Sequence, residues 1–405
     1  MAPDQALPPF DPFGPEFRQT PYTLYRRYRE REPVHWGGQV RPGVAGCWYL
    51  TRHADVEAAF KDPRLGREAG PTPDPMQAPP PLRPLIACLR DWMVLRDPPG
   101  HTRLRSPFVS AFQPRIIQQL RPGIEAAAAE LLDRVEPKGG MDLIADYAFP
   151  LPILVIGELF GIPAADRPLL RRWAPDLVVA LDMGADQAAV ERGAKAVRQF
   201  SSYLKGLIKR RRHEPCDDLL SLLANDPESR LEEEELVANC ILLLVAGHET
   251  TAHLIGNGVL ALLQHPDQWD LLRQNRVQTV DAVEELLRYD TSNQLVFRLA
   301  LQDLEIDGHA VAAGEHVCLV QGAANRDPAV YPDPERLDLR RTDFRHLSFG
   351  QGIHFCLGAA LARLELEIAF GTLAARLPGL RLTSDETRWR QHVFMRGLES
   401  LPLAF

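Results

Sequence analysis

Apolar positions recur with helical spacing over most of the chain. The longest such stretch opens at Leu231-Glu232-Glu233-Glu234-Glu235, runs through Ile241-Leu242-Leu243-Leu244-Val245 to Gln264, and stops before Pro266. Acidic residues in a first turn suit the positive end of the helix dipole. At about 1.5 Å per residue, a helix over 231–264 spans roughly 50 Å. Its middle is apolar on every side, which places it in a core. Shorter helices are predicted from Tyr22 to Arg31, ended by Pro33, and from Ala54 to Lys61, ended by Pro63. Two more are predicted from Val283 to Tyr289 and from Ala359 to Arg376. Between Ile116 and Arg212 amphipathic helices follow one another, broken at Pro122, 137–140, Pro150 to Pro152, 161–163 and Pro175.

The β signals are few and local. Val34 to Trp36 and Cys47 to Leu50 flank a Gly-rich stretch at 37–46 and predict a small hairpin. Leu295 to Ala300, Leu304 to Gly308 and Val317 to Val320 read as short strands, with a turn at Asp307-Gly308. The tail from His392 to Phe405 is strand-like and could return Phe394 and Met395 to an interior site. Prolines at 71, 73, 75, 79, 80, 81 and 84 make 70–84 a surface loop. The expectation is a mainly α fold with a smaller β region, at roughly 34–52, 292–320 and 392–405, in one domain over 1–405.

Composition narrows the class without naming it. Apolar residues make up 45% and charged residues 25%, as in ordinary globular proteins. A net charge of -8 argues against a nucleic-acid partner or an anionic membrane surface. No apolar run reaches bilayer length, so no membrane anchor is expected. Cysteines at 47, 88, 216, 240, 318 and 356 include no Cys-x-x-Cys pair, which suggests neither a zinc site nor a disulfide framework. Met1 to Phe17 lacks a basic region followed by an apolar one, so a cytoplasmic protein with reduced thiols is expected.

Chemistry concentrates in Phe349-Gly350-Gln351-Gly352-Ile353-His354-Phe355-Cys356-Leu357-Gly358. Gly350 and Gly352 permit a tight loop. The helix that follows points its positive end at the sulfur, and both features favour a thiolate. An isolated cysteine is more often a small buried hydrophobe, so the loop alone does not decide. Three weaker signals accompany it. Ala246-Gly247-His248-Glu249-Thr250-Thr251 puts an acid and an alcohol inside the apolar helix, where they need partners or a function. His101 and Arg105 share one helix face. Glu285 and Arg288 are spaced for an ion pair, which in solvent contributes little.

Together these segments, in this order, resemble the cytochrome P450 family. The resemblance implies a cytochrome P450 fold, with haem b held between the long central helix and the cysteine-loop helix. It implies Cys356 as the thiolate ligand of the iron, whose electron donation favours O–O cleavage. Phe349 would pack near the sulfur, beside Gly350, and Gly358 would allow close approach of the next helix. His101, Arg105, Arg298 and His354 match positions that bind haem propionates, a role suited to the arginine fork. Ala246 and Gly247 would leave room for O2, while Glu249 and Thr250 would relay protons. Glu285, Arg288 and Arg336 would form a structural triad behind the cysteine loop.

The implied activity is a monooxygenase that inserts one oxygen atom from O2 into a small hydrophobic substrate of secondary metabolism. With no flavin or iron–sulfur module in the sequence, a ferredoxin or flavodoxin with its reductase would supply the electrons to a monomer. Arg103, Arg345 and Arg363 are candidates for docking it. A peroxide-driven enzyme and a haem carrier are the alternatives, and the Glu249–Thr250 pair disfavours both. Leu242, Val245, Leu295, Val296 and Phe394 are expected in the substrate pocket, with 85–95 as a lid and Asn293 and Gln294 as polar contacts.

Overall fold

The computed structural model describes residues 7–38, 44, 46–68, 74–182, 184–227, 231–384 and 386–405. Much of the expected Gly-rich stretch at 37–46, and 70–73 of the proline loop, lie outside the described residues.

Helices dominate, and one organises the rest. Glu233–Gln264 forms the predicted central helix, and a capping box closes its start, with Glu232 and Glu235 each accepting from the other's backbone N–H. Its apolar middle is buried among neighbouring helices, including Pro150–Leu159, Gln187–His213 and Ala359–Arg376. The last of these, the cysteine-loop helix, keeps the bounds that the apolar spacing predicts. Where prolines crowd 75–82, one-turn 3₁₀ segments form at Pro75–Gln77 and Pro80–Leu82, and then the helix Arg83–Arg90 begins. The expected lid at 85–95 is therefore mostly helical, with Leu85 and Cys88 turned inward.

The β region is a five-stranded sheet in the order Val34–Gly37, Cys47–Leu50, His316–Val320, Leu295–Ala300, Leu65–Gly66. The first pair is the predicted hairpin, Val34 opposite Leu50 and Gly37 opposite Cys47. Cys47–Leu50 then runs parallel to His316–Val320, and the remaining pairs are antiparallel. Leu65–Gly66 carried no β signal. It is held by pairing with 299–300, a long-range contact that no local pattern encodes.

The tail corrects the expected strand over 392–405. Only Leu398–Ser400 and Pro402–Ala404 are strands, the latter lying between Gly140–Asp142 and Arg381–Leu382. Met395 makes a single bridge to Asn293. Among the described residues, no helix is long and apolar enough to cross a membrane.

Candidate functional site

Between the central helix and the cysteine loop lies a cavity of about 340 Å³. That is within the roughly 300–1,000 Å³ of a pocket for a small ligand. Cys356 opens onto it, together with Phe349, Gly350, His354 and Gly358 from the same loop.

The loop is built to present the sulfur. Gly350 and Gly352 have φ of 67° and 69°, in the left-handed region that side chains resist. A Cβ on Gly352 would also stand 2.6 Å from the Phe60 carbonyl oxygen. The Cys356 N–H donates to the Phe349 carbonyl at 2.9 Å, closing the loop on itself. Burial pushes the Cys356 thiol up, while the Gly358 N–H and the charges of Arg105 and Arg363 act the other way. Burial thus opposes the expected stabilisation by loop and helix end, and bonding to a cation is what overcomes such a cost. The role expected of Gly358 also needs correction. A Cβ there would meet nothing within 4 Å, so this glycine keeps cavity open beside the sulfur rather than letting a helix approach.

On the opposite wall the central helix contributes Leu242, Ala246, Gly247 and Thr250. The Thr250 hydroxyl donates to the Ala246 carbonyl at 2.8 Å, the one-turn back-bond open to any buried threonine. Glu249 does not reach the cavity. Successive helical residues are about 100° apart, and its carboxyl faces His253, whose Nε2 is 3.4 Å away. Among the described residues neither carboxyl oxygen has a hydrogen-bond partner. Burial raises the Glu249 pKa above its ordinary value, against the lowering charges of Arg390 and His392.

At the cavity's edge the structure gathers His101, Arg105, Arg298 and His354. The His101 and His354 rings lie 4.3 Å apart, and Arg105 donates to the Phe355 carbonyl at 2.5 Å. Arg298 is buried, with its guanidinium over the Phe60 ring. Both His101 ring nitrogens and His354 Nε2 are buried and have no hydrogen-bond partner among the described residues. Burial and crowding by like charge push His354 down to about 2 and Arg298 to about 8. A nest of donors that repel one another is the complement of a dianion.

The residues fit a haem. Cys356 presents one sulfur donor, and among the described residues no cluster of three or more His, Cys, Asp or Glu could hold a metal by itself. One axial protein ligand is what an iron already held by a macrocycle requires. The cationic edge matches two propionates, and Gly358 leaves space beside the sulfur.

Behind the loop, Glu285 and Arg288 are fully buried. Arg288 also donates to the carbonyls of Asn325, Pro334 and Arg336. The expected third member, Arg336, offers only that carbonyl, and its side chain is exposed. Arg341 takes the place, its Nε 3.2 Å from Glu285 Oε2, because the turn at 336–341 points 341 inward.

Other expectations shift as well. Leu242 and Val296 line the cavity, but Val245, Leu295 and Phe394 do not. Val245 is buried in the helical core, and Leu295 packs on the sheet's other face, since adjacent strand residues point oppositely. Phe394 stands edge-on to Phe297 at 5.8 Å. Asn293 reaches the cavity, whereas Gln294 is tied to Tyr25 and Thr291. From the expected lid, Met93 and Val94 line the wall. Arg103, Arg345 and Arg363 are ion-paired with Glu235, Asp343 and Glu284, which weakens the field expected for docking. Sequence reasoning missed Arg67 and Glu365, both in the cavity wall. Neither sits in a segment whose local pattern marks it.

Comparison with known proteins agrees with this geometry. The family model described as Cytochrome P450 matches residues 173–377. The chain is 41% identical over 406 residues to the polyketide biosynthesis cytochrome P450 PksS of Bacillus subtilis (strain 168), covering 98% of each. It is 42% identical to a vitamin D(3) 25-hydroxylase of Pseudonocardia autotrophica, covering 97% of this chain and 96% of that one. Among solved structures it resembles P450BioI in complex with an acyl carrier protein ligated to hexadec-9Z-enoic acid. That match has a TM-score of 0.90 and 39% identity, covering 96% of this chain and 99% of the other.

Proposed function

The chain belongs to the cytochrome P450 family and is a monooxygenase of it, and from that premise we propose that Cys356 ligates haem b, one catalytic unit being formed by the 405 residues. The observation that carries the reading is the single cysteine opposite Thr250 across a cavity edged by Arg105, Arg298 and His354. When bound, haem supplies the iron at which O2 is reduced and from which one oxygen atom passes to the substrate. His101, Arg105, Arg298 and His354 hold its propionates and fix its orientation. Ala246 and Gly247, with no bulk to project, leave space beside Thr250 for O2.

Glu249 offers a carboxyl whose hold on a proton burial strengthens. Thr250 holds a hydroxyl at the cavity wall. The two are neighbours on different faces of the helix, so the proton passes between them through ordered water or a swing of the Glu249 side chain. Two electrons come singly from a separate ferredoxin or flavodoxin with its reductase. The substrate is a small hydrophobic molecule, bounded by Leu242, Val296, Met93 and Val94 and oriented by Asn293.

The test is the carbon monoxide difference spectrum of dithionite-reduced wild type and Cys356→Ser. A red-shifted Soret band in wild type that the variant loses establishes the thiolate ligand. Wild type with bound haem but no such band rejects it. Product formed with NAD(P)H and a surrogate redox system, but not with peroxide alone, separates the monooxygenase from a peroxide-driven enzyme.

A further inference from the structure

The antiparallel pairing of Leu65–Gly66 with Leu295–Ala300 sets Leu65 opposite Ala300 and Gly66 opposite Leu299. The strand ends at Gly66, and Arg67 follows it outside the ladder, its charge acting against that of Arg298. Both arginines line the cavity, and among the described residues the buried Arg67 Nε has no hydrogen-bond partner.

Asp97 offsets part of this repulsion, its charge acting to raise both arginines, but burial outweighs it and both stay lowered. The Asp97 carboxylate accepts from the backbone N–H of Arg67 and of Glu68, each at 3.0 Å. Glu68 in turn accepts from the Asp97 N–H at 2.9 Å and pairs with Arg96 at 3.2 Å. Asp97 also places His101, whose N–H donates to the Asp97 carbonyl at 2.9 Å. One residue therefore ties Arg67 to the helix that carries His101 and Arg105. Gly66 makes the contact possible, because a Cβ there would stand 2.4 Å from Asp97 Oδ2. The charge of Arg67 helps push down His101 and Arg298, so it sits among them rather than apart. Two guanidinium groups lining one cavity are held at a cost unless an anion lies between them.

Resting on the haem reading above, we propose that Arg67 is a fifth member of the propionate cradle, placed just beyond the strand that pairs with 299–300 and held through its backbone by Asp97. It binds a haem carboxylate, as Arg105 and Arg298 do, but from a strand end that no sequence motif marks.

The experiment compares holoenzymes of wild type, Arg67→Gln and Arg67→Lys in two measurements, haem transfer to excess apomyoglobin and the reduction midpoint potential. With glutamine, haem leaves about tenfold faster. The midpoint moves to a more negative potential, because a cation near the iron favours the added electron. Lysine restores both toward wild type. Unchanged transfer rate and potential in Arg67→Gln overturns the assignment, as does a lysine variant no better than glutamine. Wild type that holds no haem rejects the underlying reading instead, and is scored before the variants are compared.

Discussion

Arg288 donates two hydrogen bonds to Glu285, at 2.7 and 2.8 Å, and solvent reaches neither side chain. The pair is anchored further by the Asp338 N–H, which donates to Glu285 at 2.9 Å. Removing one partner strands a buried charge, at a cost of about 3–5 kcal/mol. Arg288→Ala is expected to lower unfolding free energy by that amount in chemical denaturation, or to give protein that does not fold. Arg341→Ala should cost less, and exposed Arg336→Ala should stay within about 0.5 kcal/mol of wild type. Equal losses from Arg336→Ala and Arg341→Ala would contradict the observed triad.

Thr250→Ala should retain haem and the carbon monoxide spectrum while product per NAD(P)H falls and hydrogen peroxide rises. Glu249→Gln keeps the shape of a buried side chain, so the fold should survive. Its turnover should nevertheless fall on the order of 10²-fold, because the amide has no acidic proton to pass on. Coupling and turnover equal to wild type in both variants would remove these residues from proton delivery.

Glu284 predicts an acid-stability window. Burial alone would raise its pKa, but hydrogen bonds from His346 and Arg363 hold it down at about 2, against an ordinary 4.5. A carboxylate depressed in the folded state stabilises fully above its unfolded pKa. That stabilisation disappears as pH falls through the folded value. Roughly 3 kcal/mol should be lost between pH 4.5 and about 2. Unfolding titrations of wild type and Glu284→Gln across that range should converge at the acid end. Parallel curves would show that this site does not titrate with folding.

Gly358→Val tests the cavity reading. The glycine has φ of -86°, so a side chain brings no left-handed strain, and its Cβ meets open space. The fold measured by circular dichroism should survive, while haem per protein falls well below wild type. Full haem content in the valine variant would mean that the space beside the sulfur is not where the cofactor lies.

Much of this was legible from local pattern, and the gaps have definite causes. The central helix and the cysteine-loop helix follow from apolar spacing, and the glycines around Cys356 from their conformational freedom. Strand alternation would have separated Leu295 from Val296, since neighbours in a strand cannot both face one cavity. Helical geometry would likewise have parted Glu249 from Thr250. Arg341 could not be told from Arg336, because only the path of the turn decides which arginine points inward. Arg67 depends on pairing between Gly66 and Leu299, far apart along the chain, and nothing near it signals that contact.

The bond from Arg105 to the Phe355 carbonyl joins residues 250 positions apart. A ribosome adding roughly 5–20 residues per second needs on the order of 10–50 s to make that interval. The early helix is therefore made well before the loop it binds, and the two sides of the cofactor site can close on each other only after that later loop is synthesised. In a recombinant host, the yield of active enzyme should accordingly follow the haem supply at that late moment, and slower induction with added haem precursor should raise it more than stronger transcription does.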